Sequence, residues 1–140
     1  IGKQRNKINF SDKDLSNVYT SRTFCLYEDI EKIKKIGLAK GGSLDNAIVV
    51  KDNKIVNTAG LRNTKEFVNH KILDLAGDFL LSGYRILGSV TCTQGGHNLS
   101  NLFLRALLED RTNYSIIELE ESKTTSSYFK APPNKLAVNA

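Results

Sequence analysis

The stretch Glu66-Phe67-Val68-Asn69-His70-Lys71-Ile72-Leu73-Asp74-Leu75-Ala76-Gly77-Asp78 decides how this chain is read. Phe67, Ile72, Leu73, Leu75, Ala76, Phe79 and Leu80 recur at helical spacing, which predicts a helix over 66–81 with Gly83 just beyond its end. Residues four apart on a helix are neighbours, with Cβ atoms roughly 5–6 Å apart. His70 and Asp74 therefore share a face. A neutral imidazole and a carboxylate at that spacing can hold a divalent ion, zinc above all, although a catalytic zinc site needs three protein ligands and an open position. The competing reading is structural. Asp74 and Asp78 sit among apolar residues, and a carboxylate there needs a cation or a donor from inside the fold.

Outward from this helix, the pattern alternates strands and helices. Lys7–Phe10 reads as a short strand, and Ser11 as the cap of a helix running to about Thr20. Arg22–Leu26 reads as extended, Glu28–Ile36 as a helix stopped by Gly37, and Gly41-Gly42 as a turn. Ala47–Val50 and Lys54–Val56 form a hairpin across Asp52-Asn53. Arg85–Thr93 alternates like a strand, and His97–Leu108 is a second amphipathic helix whose Leu99, Leu102, Phe103, Ala106 and Leu107 read as core. Tyr114–Leu119 reads as a last strand. The sum is an α+β fold: a two-layer sandwich of a mostly antiparallel, mixed sheet with two main helices on one face. The polar stretch after Glu120 reads as a loose tail over 120–140.

At 140 residues the chain is expected to be one domain. Hydrophobic residues make up 40% and charged residues 25%, the composition of an ordinary soluble protein, and no apolar run could cross a bilayer. The first residue is Ile1 and no secretory signal is visible, which predicts a trimmed piece of a longer protein. The net charge of +5 is concentrated in Lys3, Arg5, Lys7, Lys13, Lys32, Lys34, Lys35 and Lys40. A nucleic-acid binder would cluster arginine and aromatics in a recognisable module. None is present, so these lysines read mainly as a solvated face, with a peripheral contact to a membrane surface left open. Cys25 and Cys92 match no metal or redox spacing and read as small buried hydrophobes of a reducing compartment, the cytoplasm.

Two other places carry chemistry. His97 follows Gly95-Gly96 at a helix start, where it could meet a phosphate or a developing oxyanion, or simply begin the helix. Gly41-Gly42-Ser43 lacks the glycine pattern and the lysine of a phosphate loop and reads as a turn.

Several strings stand in a telling order and spacing: Ser21-Arg22-Thr23-Phe24, Gly41-Gly42-Ser43-Leu44-Asp45-Asn46-Ala47-Ile48-Val49-Val50, His70-Lys71-Ile72-Leu73-Asp74 with Asp78, Gly96-His97 with its helix, and Phe129-Lys130-Ala131-Pro132. Together they resemble the UDP-3-O-acyl-N-acetylglucosamine deacetylases, zinc enzymes of lipid A biosynthesis in Gram-negative bacteria. The resemblance implies that His70 and Asp74 are two of three zinc ligands. Zinc would polarise the acetamide carbonyl and the attacking water. His97, positioned by Asp78, would stabilise the oxyanion and protonate the leaving amine, and Thr23 would hold the carbonyl oxygen or the water. Lys71 and Phe24 would contact the substrate. The segment 22–50 would be a strand–helix–strand insert lining a passage for the acyl chain, with Ile30, Ala39, Gly42, Ser43, Ala47 and Val49 as wall residues, or as ordinary core packing.

Two departures qualify the match. The family's third zinc ligand is a histidine and its general base a glutamate, both in an earlier half of the enzyme. This chain has two histidines, both already assigned, so it is expected to be the C-terminal half of a two-domain deacetylase, inactive without its N-terminal half. Gln94 also stands where family members often carry a lysine near the nucleotide diphosphate. The alternative class is a non-catalytic module binding an anionic lipid or an acyl carrier.

Overall fold

The computed structural model describes residues 1–118; the 120–140 tail and the Phe129–Pro132 string lie outside them. The helix read from the opening stretch spans Glu66–Leu80 (α3). Its first turn leaves N–H groups that cannot bond within the helix. The Asn63 side chain accepts from Lys65 N at 3.0 Å, and the Gln4 side chain accepts from Val68 N at 3.2 Å. At the other end Gly83, at φ +77°, turns the chain away and donates its N–H to Leu80 O at 3.0 Å.

Three strands form one mixed sheet, Thr23–Leu26 (β1), Ala47–Lys51 (β2) and Lys54–Ile55 (β3), in the order β1-β2-β3. β1 runs parallel to β2, with Thr23 opposite Ala47 and Leu26 opposite Val50, and β2 pairs antiparallel with β3. Asp52 and Asn53 both take left-handed φ, 48° and 60°, as a tight two-residue hairpin turn requires. Between β1 and β2 the chain passes through a 3₁₀ turn at Tyr27–Asp29 and a short helix, Ile30–Lys35 (α2). Gly37, at φ +77°, ends that helix as expected. The 22–50 segment thus supplies two of the three strands, and no separate main sheet stands beside it among the described residues.

Side chains alternate between faces of a strand. Ile48 and Val50 therefore share one face of β2 and pack with Phe67 of α3 as the core, joined by Phe24, Ile55 and Leu61. Phe24 meets Phe67 edge-on, ring centres 5.1 Å apart. Asn57 fixes the start of β2, accepting from Val49 N at 2.9 Å and donating to Leu44 O and Ala47 O. The second long helix, His97–Glu109 (α4), packs on α3, where Phe79 and Phe103 stack at 5.5 Å.

The fold class agrees with the reading from sequence; several elements do not. Lys7–Phe10 is not a strand, because its neighbours engage α3 by side chains: Asn6 donates to Asn69 at 2.7 Å. The first helix shrinks to Ser16–Tyr19 (α1), since Asp14 rather than Ser11 accepts a helix-start N–H, from Ser16 at 2.9 Å. Arg85–Thr93 and the described part of Tyr114–Leu119 pair with no strand among the described residues. Ile86, Val90, Ile116 and Ile117, which pairing would bury, are exposed. Cys25 is half-buried, but Cys92 is exposed rather than core.

One buried ion pair joins sheet and helix. Glu66 is fully buried and Arg22 nearly so. The Glu66 carboxylate accepts from Arg22 N at 3.0 Å, Nε at 2.8 Å and Nη2 at 3.1 Å, and from Arg62 N at 2.7 Å. Burial alone would raise the Glu66 carboxyl, but hydrogen bonds from the Arg22 side chain and backbone and from Arg62 outweigh it and hold it below the ordinary range. Removing one partner of such a pair leaves a buried charge and costs about 3–5 kcal/mol. Glu66→Gln is accordingly expected to lower the urea-unfolding free energy of the chain by that amount. A folded-state pKa below the unfolded one means that this contribution is complete above about pH 4.3 and is lost as pH falls from there through the lower folded value. The wild-type midpoint should drop over that acid window more steeply than that of Glu66→Gln; parallel profiles would contradict the assignment.

Candidate metal centre

Glu66, His70, Asp74 and Asp78 stand at successive intervals of four along α3. Each step turns about 40° around the axis, so they form one drifting stripe. Its first member sets the geometry of the second. Glu66 fixes the chain at Arg22, and the adjoining Ser21 carbonyl lies 3.2 Å from His70 Nδ1. A carbonyl only accepts, so Nδ1 carries a proton, and in the neutral imidazole Nε2 is the nitrogen left to bind a cation. That nitrogen stands 3.3 Å from Asp74 Oδ1, and both side chains are largely buried.

Zinc bonds to histidine nitrogen and carboxylate oxygen are about 2.0–2.2 Å long, which at a tetrahedral angle separates two ligands by about 3.4 Å. The observed His70–Asp74 spacing fits a shared ion. The donor set also fits: one neutral imidazole held by its far nitrogen and one carboxylate. Asp74 is not free of other partners, because Lys71 Nζ donates to its Oδ2 at 2.8 Å. Among the described residues no three His, Cys, Asp or Glu side chains converge, so no third such group stands beside His70 and Asp74.

Phe24 and Lys71 join this pair. The Phe24 ring meets the His70 ring edge-on at 6.2 Å, and Lys71 Nζ lies 5.4 Å from the Phe24 ring centre. One turn further along the stripe, Asp78 receives His97 Nδ1 on both oxygens, at 2.9 and 3.0 Å. His97 is the first residue of α4, and its side chain is 71% exposed. Its Nε2 has no protein partner among the described residues. Two residues before this entry, a Cβ on Gly95 would lie 2.6 Å from Cys92 Sγ, so any larger residue there would require that side chain to turn away. Gln94 precedes it at φ 53°, a left-handed backbone.

The remaining site residues fall elsewhere. Thr23 is exposed at the start of β1, on the face opposite Phe24. By register it shares that face with Ala47 and Val49, which are half-buried and buried. Ile30 is half-buried at the start of α2. Ala39, Gly42 and Ser43 lie on an exposed loop, where Gly42 N donates to Ala39 O at 3.0 Å and a Cβ on Gly42 would crowd that oxygen at 3.1 Å. The sequence reading missed Arg22 and Glu66 as the support of His70. The available signal was a carboxylate one helical turn before the histidine.

Comparison with known proteins bears on this geometry. The family profile for UDP-3-O-acyl N-acetylglycosamine deacetylase matches residues 1–109. A UDP-3-O-acyl-N-acetylglucosamine deacetylase of Aliarcobacter butzleri is 40% identical over 137 residues, covering 97% of this chain and 46% of that protein. Deacetylases of the same name from Campylobacter jejuni and Campylobacter fetus are each 43% identical, over 93% and 94% of this chain and 44% and 45% of theirs. The chain spans about half the length of the curated relatives it matches. With the profile covering most of its length, and the strings around His70, Asp74 and His97 inside the matched region, the chain belongs to the UDP-3-O-acyl N-acetylglycosamine deacetylase family.

Proposed function

We propose that this chain is the C-terminal half of a zinc-dependent hydrolase that removes the N-acetyl group of UDP-3-O-acyl-N-acetylglucosamine in lipid A biosynthesis. The observation that carries the reading is the 3.3 Å approach of His70 Nε2 to Asp74 Oδ1, with the imidazole oriented by the Ser21 carbonyl, in a member of this family. His70 and Asp74 would hold the zinc with a third ligand from the other half of the enzyme. When bound, zinc supplies Lewis-acid polarisation and a water of lowered pKa.

The chain's own residues then divide the remaining work. His97 has Nδ1 on the Asp78 carboxylate, which leaves Nε2 to donate toward the amide oxygen as charge builds there, or toward the departing nitrogen. Asp78 holds the orientation of the ring, as a carboxylate behind a catalytic histidine does. Thr23 orients the carbonyl oxygen or the attacking water. Lys71 and Phe24 contact the substrate beside the metal, and Ile30, Ala39, Gly42, Ser43, Ala47 and Val49 line the acyl-chain passage. Each methylene buried there contributes about 0.8 kcal/mol. Two unpaired cysteines suit a reducing compartment, the cytoplasm of a Gram-negative cell. No helix among the described residues is long and apolar enough to cross a membrane.

In the full-length enzyme, His70→Ala and Asp74→Ala should each strip zinc on dialysis, read by metal analysis, and abolish deacetylation. The 140-residue chain alone should bind zinc weakly and release no acetate; vigorous turnover by it would refute the divided site. Ligand affinity indifferent to chelators and to both substitutions would instead favour a binding module. Asp78→Asn should lower kcat by about 10²–10⁴-fold with KM little changed, since it disables proton transfer and not substrate binding. A fall confined to KM would remove Asp78 from the acid–base role.

A further inference from the structure

Phe24, His70, Asp74 and Lys71 close into a ring of contacts. Phe24 meets His70 edge-on at 6.2 Å, and His70 Nε2 lies 3.3 Å from Asp74 Oδ1. Asp74 Oδ2 accepts from Lys71 Nζ at 2.8 Å, and that ammonium lies 5.4 Å from the Phe24 ring centre. The two oxygens of Asp74 are therefore claimed by different neighbours, one facing the histidine and one facing the lysine. A carboxylate can ligate a cation through one oxygen or both. Through both, Asp74 would fill a position that a catalytic zinc site keeps open.

We infer that Lys71 is a positioning residue that restricts Asp74 to ligation through Oδ1 alone. The inference rests on the zinc reading above and goes beyond a substrate contact for Lys71. Two features keep the lysine in place. The Asp74 side chain is 15% exposed and that of Lys71 38%, so the charge-assisted bond is partly shielded from water, and the Phe24 ring flanks the ammonium. The arrangement has an electrostatic cost, because a cation hydrogen-bonded to a metal ligand competes with the metal for that ligand's charge. The lysine thus exchanges metal affinity for an open coordination position.

The test uses the full-length protein, with zinc affinity measured by chelator competition and coordination read from the visible absorption of the cobalt(II) form. Lys71→Met keeps the length of the side chain and removes its charge. It should bind zinc about tenfold more tightly, the worth of one lost charge-assisted hydrogen bond. Its cobalt(II) bands should weaken, because a five-coordinate ion absorbs less than a four-coordinate one. Lys71→Arg should retain the wild-type values of both. A Lys71→Met cobalt spectrum identical to wild type overturns the inference, whatever the affinity. Wild-type cobalt uptake that is unchanged by His70→Ala overturns the zinc reading itself, and this inference with it.

Discussion

The site depends on the buried pair Arg22–Glu66. Two opposite charges withdrawn from water are tolerable only when every remaining donor and acceptor is matched. Glu66 meets that condition with both oxygens, through the Arg22 guanidinium and the backbone N–H groups of Arg22 and Arg62. Arg22 completes it by donating from Nη2 to Gly60 O at 2.8 Å. Three segments distant in sequence are thereby tied together: the entry to β1, the loop before α3, and the first residue of α3. Side-chain shape and hydrophobic burial between Phe24, Ile48, Val50 and Phe67 close the same junction, but without direction. The ion pair adds direction, because a forked guanidinium meets a carboxylate in few orientations.

That direction is passed to the chemistry. With Arg22 fixed, the Ser21 carbonyl can accept the Nδ1 proton of His70, and Nε2 faces Asp74. Asp78 holds His97 one turn further along the same helix. A single rigid helix therefore carries both dyads: one suited to gripping a cation, the other to moving a proton. Their partners come from different segments, the entry to β1 and the start of α4. A helix is a better platform for such a task than a loop, since its spacing is set by backbone hydrogen bonds.

Much of this was legible beforehand. The two long helices, the hairpin at Asp52-Asn53 and the stop at Gly37 follow from local periodicity and backbone preference, which act over a few residues. The pairing of His70 with Asp74 was legible for the same reason, being internal to one helix turn. The failures share a cause. Arg85–Thr93 and Lys7–Phe10 have an extended pattern, but a strand exists only when another strand answers its hydrogen bonds, and none does among the described residues. Adjacent residues of a strand face opposite ways, so Phe24 meets the His70 ring while Thr23 lies on the other face of β1, a division that follows from strand geometry once β1 is in place.

The amino-acid order by itself determined which residues could act together within a turn of helix, because helical spacing is a local property. It also determined the family, because the strings that match it are contiguous. Tertiary structure decided which histidine nitrogen is free, which oxygen of Asp74 faces it, and that Asp78 pairs with His97 across 19 positions of chain. The first two depend on Arg22 reaching Glu66 and on Lys71 reaching both Asp74 and Phe24, and the third on α4 packing against α3. Such contacts arise only when desolvation and packing bring separate segments to one place, and no local pattern encodes them.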